Sequence, residues 1–448
     1  MNPEFQRNLW LELNPARLFL MPAIIALVLF VAGLGGKAED IARAAQGLYF
    51  VIVAVWGSFK AARTVTDEVR DRTWDGQRMA GLSPASMAFG KLFGATIYCW
   101  YGGAIALAAF AAARFAHQPD LVDGIVADVV RMIVAGLLAH ATALAASLAG
   151  ARRRRGQARA DAFLFFLAGM IAYWVAESLI GLASSFQRWT EEMANQPPEP
   201  VDWWGFSIES ELFALASLTA FAALATLTVW RLMRVELQAP AQPAWYAGLV
   251  LFAVLWWAGL EETGAERAVV AVAGLIAATF VTAWIEPKDV VAWRAFARGG
   301  PDRAALAPAT LTGLALAWTA AIVAALMLAI VGPTTDVSTP IAPIAGALFL
   351  TRDVALFAFF HLGERQKRGD FAAVLTIVLL YGLAPLLIGG VVGSDLLRGL
   401  FIVDPDAPAP IHLASAASAT VQAAAAILMA QTRWRVRSGG VAPQPAPA

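Results

Sequence analysis

Apolar residues in this chain gather in blocks of about 20, parted by short polar links, with no two-residue alternation inside the blocks. As an α-helix, a block of that length crosses ~30 Å of hydrocarbon. A membrane β-barrel would alternate instead. The pattern predicts twelve spans, at 18–36, 46–62, 92–114, 128–150, 161–183, 209–230, 244–260, 267–285, 308–331, 340–362, 371–393 and 412–430. The expected fold class is an all-α polytopic membrane protein of about 12 transmembrane helices.

Lys and Arg orient this array. With the N-terminus in the cytoplasm, 25 of them fall on cytoplasmic links and six on the opposite side. Such a bias predicts that both termini are cytoplasmic. The even count is compatible with six spans plus six, divided at the Pro-rich QAPAQP of residues 238–243. The expected organisation is a first half over 1–237, a second over 244–432 and a disordered tail over 438–448. Glu286, Asp289 and Trp293 ahead of Gly300-Pro301 faintly echo Glu68, Asp71 and Trp74 ahead of Ser83-Pro84. That echo leaves open whether the second half is a divergent repeat.

Composition narrows the function classes. Of 448 residues, 59% are hydrophobic and 15% charged, against about 25% charged in an ordinary soluble domain. Zero net charge gives no nucleic-acid footprint. The single cysteine, Cys99, excludes an internal disulfide and reads as a small buried hydrophobe. His117, His140, His361 and His412 show no metal-ligand spacing, so neither metal nor cofactor is expected. The first apolar block reads as a span and not as a cleaved signal.

One passage is far more polar than the rest: TVTDEVRDRTWDGQRMAGLSPASMAFGKLFG, residues 64–94. Helical character is expected through Arg78, with Glu68 facing Arg72 and Asp75 facing Arg78. Gly76 and Gly81 then loosen the chain, and Ser83-Pro84 starts a new helix as N-cap and first residue. The passage reads as helix, break, helix with an exposed Trp74. Asp67, Glu68, Asp71 and Asp75 interleave with its bases, which suits protein docking better than a purely basic lipid-phosphate patch. Gly90-Lys91 is not a phosphate loop, since Leu92 follows where Ser or Thr is needed.

In order and spacing, Glu68, Thr73, Asp75, Leu82, Ser83, Gly90, Lys91 and Leu92 resemble the permease subunits of ABC-2-type transporters. The opening NPEFQRNLWLELNPARLFLMP is similar to their amphipathic N-terminal helix. Arg72 stands where that pattern has Gly, Gly81 where it has Pro, and Gly76-Gln77-Arg78 interrupts its Leu-rich turn. The resemblance covers residues 1–110, and 111–235 by span pattern only. It implies a non-catalytic permease, exporter-like, in a bacterial inner membrane. A separate ABC ATPase would dock on a coupling segment containing Glu68, Arg72, Thr73, Trp74, Asp75, Ser83, Pro84, Gly90 and Lys91. Its other partners would be membrane lipid and, if one chain makes half a pathway, a second copy. It also implies short external helices after the fifth span.

Polar groups inside spans are functional candidates because burying them in lipid is costly. They are Asp128 and Arg131, which can pair at i,i+3, together with His140, Glu177, Arg352 and Asp353. Two other function classes compete. An ion-coupled secondary transporter would use Arg352, Asp353 or His140. A membrane glycosyltransferase would use Glu39-Asp40, although their external loop is short for a catalytic shelf.

Overall fold

The computed structural model describes residues 2–120, 122–153, 161–181, 200–237, 239, 244–285, 312–331, 341–362, 369–387, 395–404 and 407–438. They form two compact units, Met1–Val201 with Ser207–Ala241, and Asp202–Phe206 with Gln242–Ala448.

In the first unit, α1 (Pro3–Glu12) and α2 (Pro15–Gly33) begin identically. Asn2 and Asn14 cap them by accepting hydrogen bonds from backbone N–H groups of the first turn, and a proline takes the first helical position. Helix α2 averages a hydropathy of 2.3, yet only 11% of its apolar window is buried. Its Phe19 and Phe30 point outward, as a lipid-facing helix requires.

The second predicted span is longer than its apolar block. Helix α3 (Ala38–Tyr49), a π-helical stretch Phe50–Gly57 and α4 (Ser58–Arg70) make one unbroken rod. Amphipathic ends extend it at both sides of the block. Glu39 and Asp40 favour the N-terminal turn, where acids oppose the helix dipole. Next come α5 (Trp74–Arg78), α6 (Pro84–Phe89), a π-helical turn Gly90–Gly94, α7 (Ile97–His117), α8 (Val122–Arg153), α9 (Asp161–Gly181) and α10 (Ser210–Glu236). One apolar core joins Met21, Ile25, Tyr49, Val53, Cys99, Phe110 and Met132. A second joins Val65, Trp74, Met87, Leu92, Leu144, Leu148 and Met233.

In the second unit, α11 (Ala244–Ala258), α12 (Gly264–Ile285), α13 (Thr312–Val331), α14 (Ile341–His361), α15 (Gly369–Val378) and α17 (Ala409–Ser438) carry the apolar segments, with a short α16 (Asp395–Gly399) between the last two. A second π-helical turn, Leu379–Leu383, continues α15. Helices α14 and α17 pack closely, with Ala355, Leu356 and Ala426 in one core cluster.

Every predicted span has helix within it. Seven helices among the described residues are long and apolar enough to cross a membrane, and four shorter apolar ones accompany them. The chain is a helical, multi-pass membrane protein.

The structure departs from expectation at two places in the polar passage. The first helix of the polar passage stops at Arg70 and does not reach Arg78. The chain turns through Arg72, whose φ is 60°. Trp74 is buried, at 6% exposure, because it packs into the core of Val65, Met87 and Leu144. Residues 201–208 form a hairpin, strands Val201–Trp203 and Phe206–Ile208. Trp204 and Gly205 both have positive φ there, the geometry of a two-residue hairpin turn. Residues 182–199, over which the resemblance implies short helices, lie outside the described residues. The Glu286–Trp293 echo and the 438–448 tail lie outside the described residues, apart from Ser438.

Candidate functional site

The polar passage folds around Lys91. Its ammonium is fully buried and meets Glu68 Oε2 at 2.5 Å, Gln77 Oε1 at 2.9 Å and Glu4 Oε1 at 3.4 Å. The Trp74 ring lies 5.1 Å away and offers its π face. Arg7 closes the network, reaching Glu4 at 2.9 Å and Glu68 at 3.1 Å. Two carboxylates and two cations therefore balance in one cluster. It ties α1, the end of α4, α5 and the lead-in to α7.

Helix α1 reaches this cluster by a close approach. Gly90 and Gly94 stand one turn apart, and Glu4 and Asn8, also one turn apart, lie directly over them. A Cβ on Gly90 would sit 2.5 Å from Glu4 Cγ, and one on Gly94 would sit 2.9 Å from Asn8 Cβ. Small residues at this spacing let two helix backbones close up. Asn8 Nδ2 then donates to the Gly90 carbonyl at 3.3 Å, and Asn2 Nδ2 to the Ser86 carbonyl at 2.7 Å. Trp10 and Leu11, on another face of α1, stay exposed, as suits a helix lying at the membrane surface.

The break after α4 is a helix-terminating motif. The Thr73 N–H bonds the Glu68 carbonyl at 2.9 Å, and the Arg72 N–H bonds the Val69 carbonyl at 3.3 Å. This bonding leaves one residue in the left-handed conformation, usually Gly. Arg72 occupies that position. Gly81 also has φ of 68°, which the fixed ring of a Pro cannot adopt. Ser83 caps α6 as expected, accepting from Ser86 N–H at 3.1 Å, with Pro84 first in the helix.

The residues named from sequence thus divide. Glu68, Trp74, Gly90 and Lys91 form the internal root. Asp71, Arg72, Thr73 and Asp75, with Met79 at 81% exposure, form an exposed tip. The predicted Asp75–Arg78 pair forms at 3.3 Å. Glu68 turns to Lys91 and Arg7 in place of Arg72. Arg78 also donates from Nε to the Glu236 carbonyl at 2.8 Å, fastening α5 to the end of α10. Glu4, Arg7, Asn8 and Gln77 escaped the sequence reading. The available signal was polar residues one turn apart on α1, matching the Gly90–Gly94 step.

The intramembrane candidates form separate clusters. Asp128 pairs with Arg131 at 2.9 Å, as expected, and with Arg114 at 3.5 Å. His140 is buried, with Nε2–H donating to the Val53 carbonyl at 2.7 Å and the Trp100 ring centred 5.1 Å away. Gly57 makes room for it, since a Cβ there would overlap the imidazole. The Glu177 side chain lies outside those described.

In the second unit, Arg352 and Asp353 pair directly at 2.7 Å, although adjacent helical residues diverge. The Arg352 Nη1 donates to Gln422 Oε1 on α17 at 2.6 Å, and the Tyr381 hydroxyl donates to Asp353 Oδ2 at 2.7 Å. The rings of Phe349 and Tyr381 each lie 4.8 Å from the guanidinium. Tyr381 projects from the second π-helical turn. The glycosyltransferase candidates Glu39 and Asp40 are both ion-paired with Arg43 on their own helix. No group of His, Cys, Asp and Glu able to hold a metal occurs among the described residues.

Comparison with models of known protein families, with curated proteins and with solved structures gives no match for this chain.

Proposed function

We propose that this chain is the transmembrane permease of an ABC-type exporter, moved by ATP hydrolysed in a separate subunit. It carries twelve spans in two sets of six, both termini lie in the cytoplasm, and its home is a bacterial inner membrane. The ATPase docks on the cytoplasmic segment 64–91 and pushes on it.

The observation that carries this reading is the root-and-tip construction of that segment. A lever must present a surface to its driver and be stiff behind it. The tip at Asp71–Thr73, Asp75 and Met79–Gly81 is exposed. The root at Glu68, Trp74 and Lys91 is buried and hydrogen-bonded to the membrane-crossing helices. The left-handed Arg72 adds support, since it occupies the place where ABC-2-type permeases have Gly.

Copurification with candidate ABC ATPases tests the proposal. Arg72→Glu with Met79→Asp changes the tip alone, so this double variant is expected to fold normally and to lose ATPase capture. Equal capture by the variant and the native chain, or no capture by either, rejects the docking reading.

A second reading has its own observation. The Arg352–Asp353–Tyr381–Gln422 cluster beside a π-helical turn is the kind of buried polar group on which ion coupling is built. A secondary transporter predicts uptake or efflux that follows a proton or sodium gradient and persists without any ATPase.

A further inference from the structure

A groove of about 380 Å³ opens between the end of α1 and one face of the rod that carries the second span. Its long wall is a helical stripe. Trp56 and Phe59 come first, Lys60 and Arg63 next, and Asp67 and Glu68 last. From Trp56 to Glu68 the wall rises roughly 18 Å at 1.5 Å per residue. The order is aromatic, then cationic, then acidic, running from the apolar block outward.

The aromatic end is partly exposed at both Trp56 and Phe59, at the end of the apolar block. Glu68 is held by Lys91 and Arg7. Lys60 pairs with Glu12 across the groove, and Asp67 pairs with Arg63 at 3.0 Å and, through its other oxygen, with Arg70 at 3.5 Å. The pairings of Lys60, Arg63 and Asp67 do not use up their donors or acceptors. An ammonium has three N–H groups, a guanidinium five, and a carboxylate about four lone-pair sites. Arg63 and Asp67 both remain partly exposed along the groove.

From this order we infer that the groove binds a zwitterionic phospholipid of the cytoplasmic leaflet, with a phosphatidylethanolamine headgroup. In such a lipid, acyl chain, phosphate and ammonium follow one another outward, as do Trp56–Phe59, Lys60–Arg63 and Asp67, the acid of the wall that Lys91 does not hold. The phosphate accepts from the two cations. The primary ammonium donates to Asp67 one turn further on, and charge-assisted bonds of this kind are the strong ones. A phosphatidylglycerol headgroup brings only neutral hydroxyls to the carboxylate, whose hydrogen bonds are weaker than those of an ammonium. A quaternary choline cannot donate at all. The inference rests on the membrane reading of the chain and is independent of any ATPase partner.

The test is lipid competition on the full-length protein in detergent, read by native mass spectrometry. An equimolar mixture of phosphatidylethanolamine, phosphatidylcholine and phosphatidylglycerol is supplied. Phosphatidylethanolamine is expected to be retained ~5-fold over phosphatidylglycerol, about 1 kcal/mol of discrimination. Asp67→Lys is expected to abolish or reverse that preference. Retention of phosphatidylglycerol equal to phosphatidylethanolamine by the native chain overturns the inference whether or not the variant folds. An unchanged ratio in a folded Asp67→Lys protein does the same. Soluble phosphoethanolamine is the third arm: if it competes as well as short-chain phosphatidylethanolamine, the aromatic end is idle and the ligand is not a lipid.

Discussion

Lys91 gathers its counter-charges from far along the chain, whereas Arg352 takes its own from the next residue. The anions around Lys91 come from Glu4 and Glu68, 87 and 23 residues away. Asp353 neutralises Arg352 locally, and the longer links run to uncharged partners, Tyr381, 28 residues from Asp353, and Gln422, 70 from Arg352. The first arrangement uses charge to hold separate segments together. The second brings a pair already neutralised and uses it to align helices. Charge in a membrane protein can therefore serve as a clasp between distant segments and as a register mark between packed helices.

The largest effect is expected where charge is the clasp. Lys91→Met leaves Glu4 and Glu68 facing each other with only the half-exposed Arg7 to balance them. Breaking a buried pair by removing one partner costs ~3–5 kcal/mol. Thermal melting in detergent should show that loss, and adding Glu68→Gln should recover part of it. Arg352→Met strands one carboxylate, which keeps its bond from the Tyr381 hydroxyl. It should cost less, and its effect should appear as faster amide exchange in α17, with α1 unaffected. A larger loss for Arg352→Met than for Lys91→Met would break the comparison.

Gly90→Ala tests whether charge alone holds α1. The new Cβ meets Glu4 Cγ at 2.5 Å and the Phe5 backbone nitrogen at 3.0 Å. Backbone does not yield as a side chain does, so α1 must shift. Overpacking of this kind costs ~1–3 kcal/mol. The measurable result is faster tryptic cleavage at Arg7 without a change in α17. Protection equal to the native chain would mean that the cluster holds α1 without the glycine step.

The helices were legible in the sequence because hydropathy over twenty residues is a strong, local signal. Capping was equally local: Ser83-Pro84 begins α6 as its chemistry requires. What stayed hidden was the destination of the polar side chains. Glu68 has Arg72 at i,i+4, the textual partner, but the left-handed turn at Arg72 carries that side chain off the helix face. Lys91 then becomes the partner, a contact fixed by tertiary packing. Trp74 looked exposed because its neighbours are charged, and only the core beneath α5 shows where the ring goes. Tyr381 and Gln422 gave no signal, since isolated polar residues in apolar helices do not announce a shared partner.

The smallest predicted effect concerns the turn between root and tip. Arg72 holds φ at 60°, a conformation that costs a non-glycine residue ~1–2 kcal/mol. Two backbone hydrogen bonds and the packed Trp74, two residues on, hold it there. Arg72→Gly removes the steric cost but gains freedom in the unfolded chain, which offsets part of the benefit. A net rise in stability of ~0.5–1 kcal/mol is expected, visible as a small upward shift in melting temperature. This substitution also separates two uses of the residue. It keeps the turn and deletes the guanidinium, so a stabler protein that still captures the proposed ATPase assigns the docking to the shape of the tip. A stabler protein that loses capture assigns it to the charge of Arg72. If Arg72→Gly instead destabilises the chain, the turn is held by contacts of the arginine side chain, and the root alone does not define it.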